Sequence, residues 1–309
     1  MGATEDAASR RPARSGDMVD HPESDSLLSI VVGSNGARAS VEACLTALEP
    51  QVDGAEVLVC EPEASPPELR ERFPFARFIE RRGALVPALW RDGIDASRGR
   101  IVALTISPME PAPDWVATIR AQLGHADVVA GAIDPGDGLR LSDWAEYFCR
   151  YARDMLPFTP HECLDLPGDN AAYKRELLER TRPLYRDGFW EPDVHRALHE
   201  DGAALWHAPE LVVRQGRSAG AAAFARQRLH HGRAHGRQRG ARFGRVRNLG
   251  GVLAAPAVPP LLTLRVLRET QRRRRLRGRA LAALPLILFF DSAWAAGEAL
   301  GHLDALRGT

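Results

Sequence analysis

The sequence predicts an α/β fold in which a doubly wound, mostly parallel sheet is flanked by helices and followed by a basic and apolar helical appendage. The chain has 309 residues, of which 45% are hydrophobic, and this is enough to bury a full core. Short apolar runs of strand length alternate with segments of helical spacing, as in the βα units of a parallel sheet. Toward the C-terminus, arginine-rich and apolar segments replace this alternation.

Three buried strands are predicted in the first part of the chain, at residues 27–33 (LLSIVVG), 56–60 (EVLVC) and 101–105 (IVALT). Helical spacing follows at residues 41–48 and 86–97. In such a sheet, ligands bind beyond the carboxyl ends of the strands. The candidate binding positions are therefore Gly33 to Asn35 after the first strand, Glu61 after the second, and the loop after residue 104.

Further strands are predicted at residues 128–133, 204–208 and 211–213. A helix over residues 143–155 carries four aromatic side chains on an apolar stripe, which we assign to the core rather than to a binding platform. Gly168, Asp169 and Asn170 form a tight polar turn. Residues 171–179 (AAYKRELLE) are predicted to be a helix with Asn170 as its N-cap.

Two acidic residues, Glu191 and Asp193, follow the polar turn in the sequence. The turn can hydrogen-bond a polyol, and a carboxylate aimed at the same pocket can act as the general base that deprotonates a sugar hydroxyl. The alternative is that Asp169 and Asn170 only cap a helix and that Glu191 is a solvated acid. The residues of this segment alone leave both interpretations open.

Charge is distributed unevenly along the chain. Residues 214–279 contain eighteen arginines and one acidic residue, Glu269, so they carry a net charge of +17 while the rest of the chain carries −16. Such a block indicates a phosphate-bearing partner, namely nucleic acid, an anionic membrane face or a pyrophosphate ligand, unless it is a solvated arginine-rich face. Nucleic acid is disfavoured because only two aromatic residues, Phe224 and Phe243, lie within residues 214–247 for bases to stack on.

Two apolar stretches, residues 249–264 and 281–290, flank the densest arginine cluster. A spanning helix needs about 20 apolar residues, so neither stretch is a comfortable transmembrane segment. We expect either a helical hairpin in the headgroup region, with arginines against anionic lipid, or an amphipathic helix packed on the α/β domain.

The N-terminal segment and the cysteines indicate a cytoplasmic protein. Residues 1–26 are polar and lack the apolar core of a signal peptide, so we predict a disordered tail. The four cysteines show neither a disulfide framework nor metal-ligand spacing, which fits a reducing compartment. Together with the apolar stretches, this predicts a peripheral or monotopic protein on the inner face of the cell membrane.

Read in order, several segments resemble the family 2 glycosyltransferases, which are inverting enzymes with the GT-A fold. The segments that carry the resemblance are residues 28–48, 56–61, 81–105, 111–116 (PAPDWV), 168–179, 188–198 (GFWEPDVHRAL), 227–239 (QRLHHGRAHGRQR) and 284–303. Each motif is weak alone, and their shared order and spacing make the match. The resemblance predicts a GT-A-like domain over residues 27–245 and a membrane-associating helical tail over residues 246–309.

The resemblance implies transfer of a sugar, with inversion, from a nucleotide-diphosphate sugar to a hydroxyl of a glycan or lipid-linked acceptor. Glu191 stands where the family places its catalytic base, and Asp193 is the reserve because Pro192 replaces the usual paired acid. The donor-binding candidates are Gly33, Asn35, Glu61, Arg82, Arg91 and Ser107. The acceptor-binding candidates are Gly168, Asp169 and Asn170. The diphosphate-binding candidates are Arg228, His231 and Arg233.

The metal motif of the family is missing from this chain. In the family, the third strand ends in an Asp-x-Asp that binds Mg²⁺ or Mn²⁺ on the diphosphate, whereas this chain has Ile106, Ser107 and Pro108, none of which is a strong hard-cation ligand. Loss of the ion removes a major source of leaving-group stabilisation. Either arginines replace the metal, with Arg82, Arg91, Arg228 and Arg233 as candidates, or the chain is a non-catalytic partner or scaffold in polysaccharide assembly.

Overall fold

The computed structural model describes residues 28–308, and the tail predicted for residues 1–26 lies outside this range. The described residues form one nine-stranded sheet flanked by helices, which confirms the α/β class. The strands are β1 (Leu28–Gly33), β2 (Ala55–Glu61), β3 (Ala76–Glu80), β4 (Ile101–Ile106), β5 (Met109–Pro111), β6 (Val128–Pro135), β7 (His161–Glu162), β8 (Asn170–Lys174) and β9 (Leu205–Gln215). The helices are α1 (Arg38–Leu48), α2 (Pro67–Arg72), α3 (Val86–Ala96), α4 (Trp115–Gln122), α5 (Leu141–Tyr151), α6 (Arg175–Thr181), α7 (Glu191–Glu200), α8 (Ala221–Ala241), α9 (Arg245–Ala254), α10 (Val258–Arg272) and α11 (Arg277–Arg307).

The sheet has the strand order β3-β2-β1-β4-β8-β6-β9-β5, and β7 pairs with β9. The first four strands form a parallel block, β6 and β9 are parallel to each other, and β8 lies antiparallel between β4 and β6. β5 and β7 pair antiparallel with β9. Most strands therefore run in one direction, as predicted, and the carboxyl ends of β1, β2 and β4 lie at one edge of the sheet.

The strands β1, β2 and β4 of the parallel block are largely buried, as their continuous apolar sequences predict, whereas the edge strand β3 is partly exposed. All six residues of β1 are buried, and α3 packs closely on this strand and on β2. Gly93 of α3 permits the approach, because a Cβ there would lie only 3.0 Å from the sulfur of Cys60. Burial of each valine, leucine or isoleucine in this core contributes about 1.5–3 kcal/mol relative to exposure.

Residues 170–174 are a strand, so the prediction of a helix capped by Asn170 is wrong. The helix begins only at Arg175, after Lys174 as its cap residue. Differences in helix propensity are at most about 0.7 kcal/mol for ordinary residues. β8 instead gains ladder hydrogen bonds to two strands and buries its first four residues, and this tertiary pairing outweighs the local preference.

Two other elements differ from the prediction in extent only. β9 is one strand of 11 residues rather than two short ones, and its register with β6 shifts between Gly131 and Ala132. α5 ends at Tyr151, four residues before the predicted end. Tyr147 and Phe148 are buried in the core as predicted.

The C-terminal helix α11 packs along α8 through glycines on both helices. Gly232 and Gly236 of α8 face Gly297 and Gly301 of α11, and a Cβ on any of the four would overlap backbone atoms of the opposite helix. Small residues at this spacing let two helix backbones come into contact. α11 therefore packs against α8 and α5 rather than extending away from the α/β domain.

Ion pairs between α8 and α11 neutralise part of the basic block. Arg228 lies 3.1 Å from Asp291, Arg233 lies 2.6 Å from Asp304, and Arg239 lies 2.9 Å from Glu298. The Arg228 to Asp291 pair is buried, whereas the Arg233 guanidinium is half exposed. Arginines of α8 thus hold the C-terminal helix in place.

The C-terminal helices are longer than the apolar stretches in the sequence. Arg245–Arg272 and Arg277–Arg307 span 28 and 31 residues, and by length and composition alone both could cross a membrane. The most apolar window of each is 11% and 39% buried within the protein. Their exposed large apolar side chains are Val246, Leu249, Leu253, Leu261, Leu264, Leu281, Leu288, Phe289 and Leu300.

Candidate active site

A cavity of about 340 Å³ brings together predicted residues from distant parts of the chain. Gly168 and Asp169 from the polar turn, Glu191 from the start of α7 and Arg228 from α8 all line it. Its other walls come from α5, α10 and α11. We call this space the Glu191 cavity.

Gly168 and Glu191 are in direct contact in this cavity. A Cβ on Gly168 would lie 2.5 Å from Oε1 of Glu191, so only glycine leaves room for the carboxylate. The backbone N–H of Gly168 donates a hydrogen bond to that carboxylate, and Glu191 is also the first residue of α7, where the helix dipole favours negative charge. The tight turn thus orients the acidic side chain.

The surroundings of Glu191 raise its pKa to about 7. Burial is the main cause because it disfavours the charged form, and the nearby charge of Asp169 acts in the same direction. Backbone hydrogen bonds and the Arg150 guanidinium lower the pKa in part. A carboxylate with a pKa near neutrality is suited to accept a proton from a hydroxyl and to release it again.

Asp169 is held by two residues of α5 that sequence reasoning did not select as site residues. Arg150 donates a hydrogen bond to its carboxylate at 2.6 Å, and the hydroxyl of Tyr151 donates another. The Arg150 guanidinium also lies over the Tyr151 ring at 5.0 Å. The available signal was an arginine beside the aromatic stripe of α5, where a purely structural helix would place apolar residues.

Asn170 is fully buried and its side chain is occupied within the core. Its Oδ1 accepts a hydrogen bond from the Trp115 indole at 2.8 Å, and its Nδ2 donates to the backbone oxygens of Ala132 and Leu211, both at 2.9 Å. Asn170 therefore ties the end of β8 to β6 and β9. This anchors the preceding Gly168 and Asp169 at the cavity.

Asp193 points away from the Glu191 cavity although it lies in the same turn of α7. Arg242 donates hydrogen bonds to both of its oxygens, at 2.7 and 3.0 Å, and Gln238 donates one at 3.1 Å. Asp193 thus fastens α7 to α8. The geometry favours Glu191 over Asp193 as the proton acceptor.

A second cavity, of about 230 Å³, lies at the carboxyl ends of β1 and β2 under α8. Ser34 and Asn35 line its floor, and His230 and His231 line its roof. The Asn35 backbone N–H donates to Oγ of Ser107 at 3.1 Å, and that hydroxyl donates to Oδ1 of Asn35 at 3.0 Å. We call this space the strand-end cavity.

Burial shifts the pKa values of two titratable side chains in the strand-end cavity. Burial, helped by the charges of Arg150 and Arg228, lowers the pKa of His231 to about 3, so this imidazole is neutral at physiological pH. Burial raises the pKa of Glu146, and its Oε2 has no hydrogen-bond partner in the part of the chain that the structure describes. Glu146 lies one turn before Arg150 on α5, so the two cavities are adjacent along this helix.

The remaining residues predicted to bind the sugar donor lie beside the two cavities rather than in them. They are Glu61, Gly33, Arg82 and Arg91. The buried Glu61 carboxylate accepts hydrogen bonds from Ser65 and Arg70 and so holds the loop after β2. Gly33 is packed against Trp90 at the end of β1. Arg82 faces outward, is 89% exposed and pairs with Glu80, whereas Arg91 is mostly buried, pairs with Asp92 and donates to the backbone oxygen of Arg186.

Arg228 is the diphosphate candidate that the structure places at the site. Its guanidinium is buried between Asp291 and the Trp294 ring, 4.4 Å from the ring centroid, and it lines the Glu191 cavity. Its Nε is buried and has no hydrogen-bond partner within residues 28–308. Arg233 lines neither cavity and pairs with Asp304.

The residues at the end of β4 do not fit a divalent cation. Ile106 is apolar and buried, the Ser107 hydroxyl is occupied by Asn35, and Pro108 has no side-chain donor atom. Among residues 28–308, no group of three or more His, Cys, Asp or Glu side chains could hold a metal ion. We therefore derive no step that depends on a bound metal.

No protein-family model and no curated protein matches this sequence. The fold is similar to three solved glycosyltransferases. GalNAc-T7 with UDP, GalNAc and Mn²⁺ is 15% identical, with a TM-score of 0.46 over 62% of this chain and 44% of that chain, and the mannosyltransferase PcManGT from Pyrobaculum calidifontis with GDP-Man and Mn²⁺ is 19% identical, with a TM-score of 0.48 over 92% and 88% of the two chains. S. aureus TarS is 12% identical, with a TM-score of 0.44 over 66% of this chain and 39% of that chain. The chain spans less than half the length of GalNAc-T7 and TarS. At these identities and TM-scores, the likeness describes the fold only.

Proposed function

We propose that this protein is a glycosyltransferase that moves a sugar, with inversion, from a nucleotide-diphosphate sugar to a hydroxyl acceptor of a cell-surface glycan or glycolipid. The observation that carries the proposal is the Glu191 carboxylate, with its pKa near 7, facing a cavity beside Gly168 and Asp169. The adjacent strand-end cavity lies where α/β sheets bind nucleotides. The order of the sequence segments supports the same activity.

In this mechanism Glu191 removes the proton from the acceptor hydroxyl while the oxygen of that hydroxyl attacks the anomeric carbon of the donor sugar. A new carbon–oxygen bond forms on one face of the sugar, and the bond to the diphosphate breaks on the other, so the electron pair leaves with the nucleotide diphosphate. Arg228 and Arg150 line the cavity and supply positive charge for the departing group. Asp169, held by Arg150 and Tyr151, is placed to bind acceptor hydroxyls.

The nucleotide is assigned to the strand-end cavity. Asn35 and Ser34 lie at its floor, beneath the predicted donor position, and Ser107 holds Asn35 in place. The neutral His231 and the unpartnered Glu146 oxygen provide hydrogen-bonding groups for ribose or sugar hydroxyls. Since Arg82 and Arg91 are engaged outside both cavities, the diphosphate is assigned to Arg228 and not to them.

A thermal-unfolding panel tests the proposed donor. The full chain is mixed with UDP, GDP, dTDP or their sugars, each with and without Mn²⁺. One nucleotide diphosphate, at about 100 times its Kd, should stabilise the protein by about 2.7 kcal/mol and raise the Tm by about 5 °C. The increase should not require Mn²⁺, because β4 offers no metal ligands. A folded sample that responds to none of these compounds would contradict the proposal.

The pH dependence of transfer tests the role of Glu191. Below about pH 7 its carboxyl is protonated and cannot accept the hydroxyl proton, so kcat/KM should rise with pH through about 7. Asp169→Asn removes a negative charge that raises the pKa of Glu191. The rise of kcat/KM with pH, which is the acid limb of the profile, should therefore occur at lower pH. Tyr151→Phe keeps that charge and should leave the limb in place. An acid limb that Asp169→Asn does not move would argue against Glu191 as the titrating base.

A non-catalytic role in polysaccharide assembly is the second candidate, and the absence of metal ligands after β4 among the described residues favours it. Turnover of any nucleotide sugar decides between the two. Release or transfer of sugar from a nucleotide donor would exclude the non-catalytic role.

We also propose that residues 246–309 attach the protein to the inner face of the cell membrane. Nine exposed leucine, valine and phenylalanine side chains on α9, α10 and α11 support attachment. Exposed arginines such as Arg245, Arg268, Arg277 and Arg279 lie among them and suit anionic lipid headgroups. Co-sedimentation with anionic vesicles, but not with DNA at moderate salt, is the expected result.

A further inference from the structure

A third cavity, of about 700 Å³, adjoins the Glu191 cavity on the side of the C-terminal helices. Its walls are the segment from Pro157 to Cys163 and the end of α10 with the following turn. Four residues, Arg153, Asp154, Asp165 and Arg265, line both this cavity and the Glu191 cavity, so the two spaces join. We call the third cavity the arginine groove.

The arginine groove has a surplus of positive charge. It is lined by Arg153, Arg265, Arg272, Arg273 and Arg274. Two of these are engaged: Arg153 pairs with Asp165, and Arg273 pairs with Glu269 and donates to backbone oxygens. The other three, Arg265, Arg272 and Arg274, have exposed side chains and form no ion pair within residues 28–308. These five arginines outnumber the three carboxylates that line the groove, those of Asp154, Asp165 and Glu269, so the groove favours an anionic ligand.

His207, which also lines the groove, has a buried ring nitrogen without a partner. His207 is 4% exposed, and its Nε2 forms no hydrogen bond with any described residue, the nearest carboxylate being Asp154 at 3.8 Å. Burial lowers the pKa of His207 to about 4 and raises the pKa of Asp154 to about 7. The neutral imidazole can therefore bond a hydroxyl of a ligand in the groove.

The outer rim of the groove is apolar. Leu261 precedes Arg265 by one helical turn on α10 and is 63% exposed, and Leu264 beside it is 42% exposed. Exposed apolar side chains continue onto α9 and α11. A ligand that places its phosphate against the arginines can thus lay a hydrocarbon chain along this rim.

We propose that the arginine groove binds the phosphate or diphosphate of a lipid-linked acceptor, whose sugar hydroxyl reaches Glu191 through the junction of the two cavities. This inference rests on the proposed glycosyl transfer and names its acceptor class. Arg265, Arg272 and Arg274 hold the phosphate, and the lipid chain lies on the rim with Leu261 and Leu264. The membrane then delivers the acceptor to the opening of the groove.

The test uses the full-length protein and phosphatidylcholine vesicles that contain a long-chain polyprenyl phosphate. A variant with Arg265→Gln, Arg272→Gln and Arg274→Gln is compared with a control variant that carries Arg245→Gln, Arg268→Gln and Arg277→Gln. Both variants lose three exposed arginines from the C-terminal region, but only the first loses them from the groove. Binding of each variant is also measured with two other ligands. These are vesicles that carry phosphatidylglycerol at equal negative charge and inorganic pyrophosphate in solution.

The groove variant should bind polyprenyl-phosphate vesicles on the order of 100-fold more weakly than the unaltered protein, since each lost charge-assisted hydrogen bond weakens binding several-fold or more. The control variant should lose only the weaker attraction to phosphatidylglycerol vesicles. Equal losses in both variants, or preference for free pyrophosphate over the lipid, would overturn the proposal. Stabilisation by nucleotide is measured in parallel, so failure of the groove and failure of the proposed donor site are distinguished.

Discussion

Glu191→Gln is expected to reduce kcat/KM for sugar transfer by about 100- to 10,000-fold, the usual contribution of a general base. Glutamine keeps the size of the side chain and its contact with Gly168, but it cannot accept the hydroxyl proton. Stabilisation of the protein by the donor nucleotide should largely persist, because the variant keeps Arg228 and the strand-end cavity to which the diphosphate and the nucleotide are assigned. Radiolabelled sugar transfer and thermal unfolding with nucleotide give the two readouts.

Asp193→Asn is the matched control for this variant. Asp193 lies two residues after Glu191 in the first turn of α7, but its oxygens are bound by Arg242 and Gln238 outside the cavity. We expect this variant to keep most of its activity and to lose only some stability at the contact between α7 and α8. Full turnover in Glu191→Gln, or loss of turnover only in Asp193→Asn, would transfer the role of base away from Glu191.

Gly236→Ala is expected to lower the free energy of unfolding by about 1–3 kcal/mol, the usual cost of overpacking a close contact. The added Cβ would overlap the Glu298 carbonyl group on α11, with the Cα of Glu298 only 3.0 Å away, and a backbone contact of this kind cannot be relieved by a rotamer change. The two helices would have to separate. Denaturant unfolding measures the loss, and limited proteolysis should release fragments that end within α11.

Gly250→Ala is also a glycine-to-alanine substitution in a helix, but it is expected to raise the free energy of unfolding rather than lower it. Gly250 lies in α9, and an added Cβ would meet no heavy atom within 4 Å. Alanine in an exposed helix is expected to stabilise the protein by about 0.5–1 kcal/mol, because glycine loses more backbone entropy on folding. Equal stability changes in the two variants would show that α11 does not depend on close contact with α8.

Much of the candidate site was predictable because its residues follow strand ends or tight turns. Asn35 and the Ser107 that holds it follow from the parallel block, since its strands end together at one edge of the sheet. The Gly168 to Asp169 turn and Glu191 were also recognised, although nothing in their local sequence shows that they meet in one cavity. Their contact depends on β8 entering the sheet and on α7 starting beside it.

Other parts of the site depend on partners that lie far away in sequence. Arg150 has no local feature that reveals Asp169 as its partner, and Arg228 gives no sign of Asp291. A basic residue looks the same in the sequence whether it is solvated, paired or facing a ligand. The arginine block therefore predicted an anionic partner but not which arginines remain available to it.

The sequence by itself determined the α/β class, the buried parallel strands, the polar turn and the change to a basic and apolar C-terminal region. Hydrophobic periodicity carries this information, because it depends on neighbours within a few residues along the chain. The tertiary structure decided that residues 170–174 form a strand, that Glu191 rather than Asp193 faces the cavity, and that α11 packs on α8. These outcomes arise from ladder hydrogen bonds, desolvation and backbone contacts between distant segments, which exist only once the chain has folded.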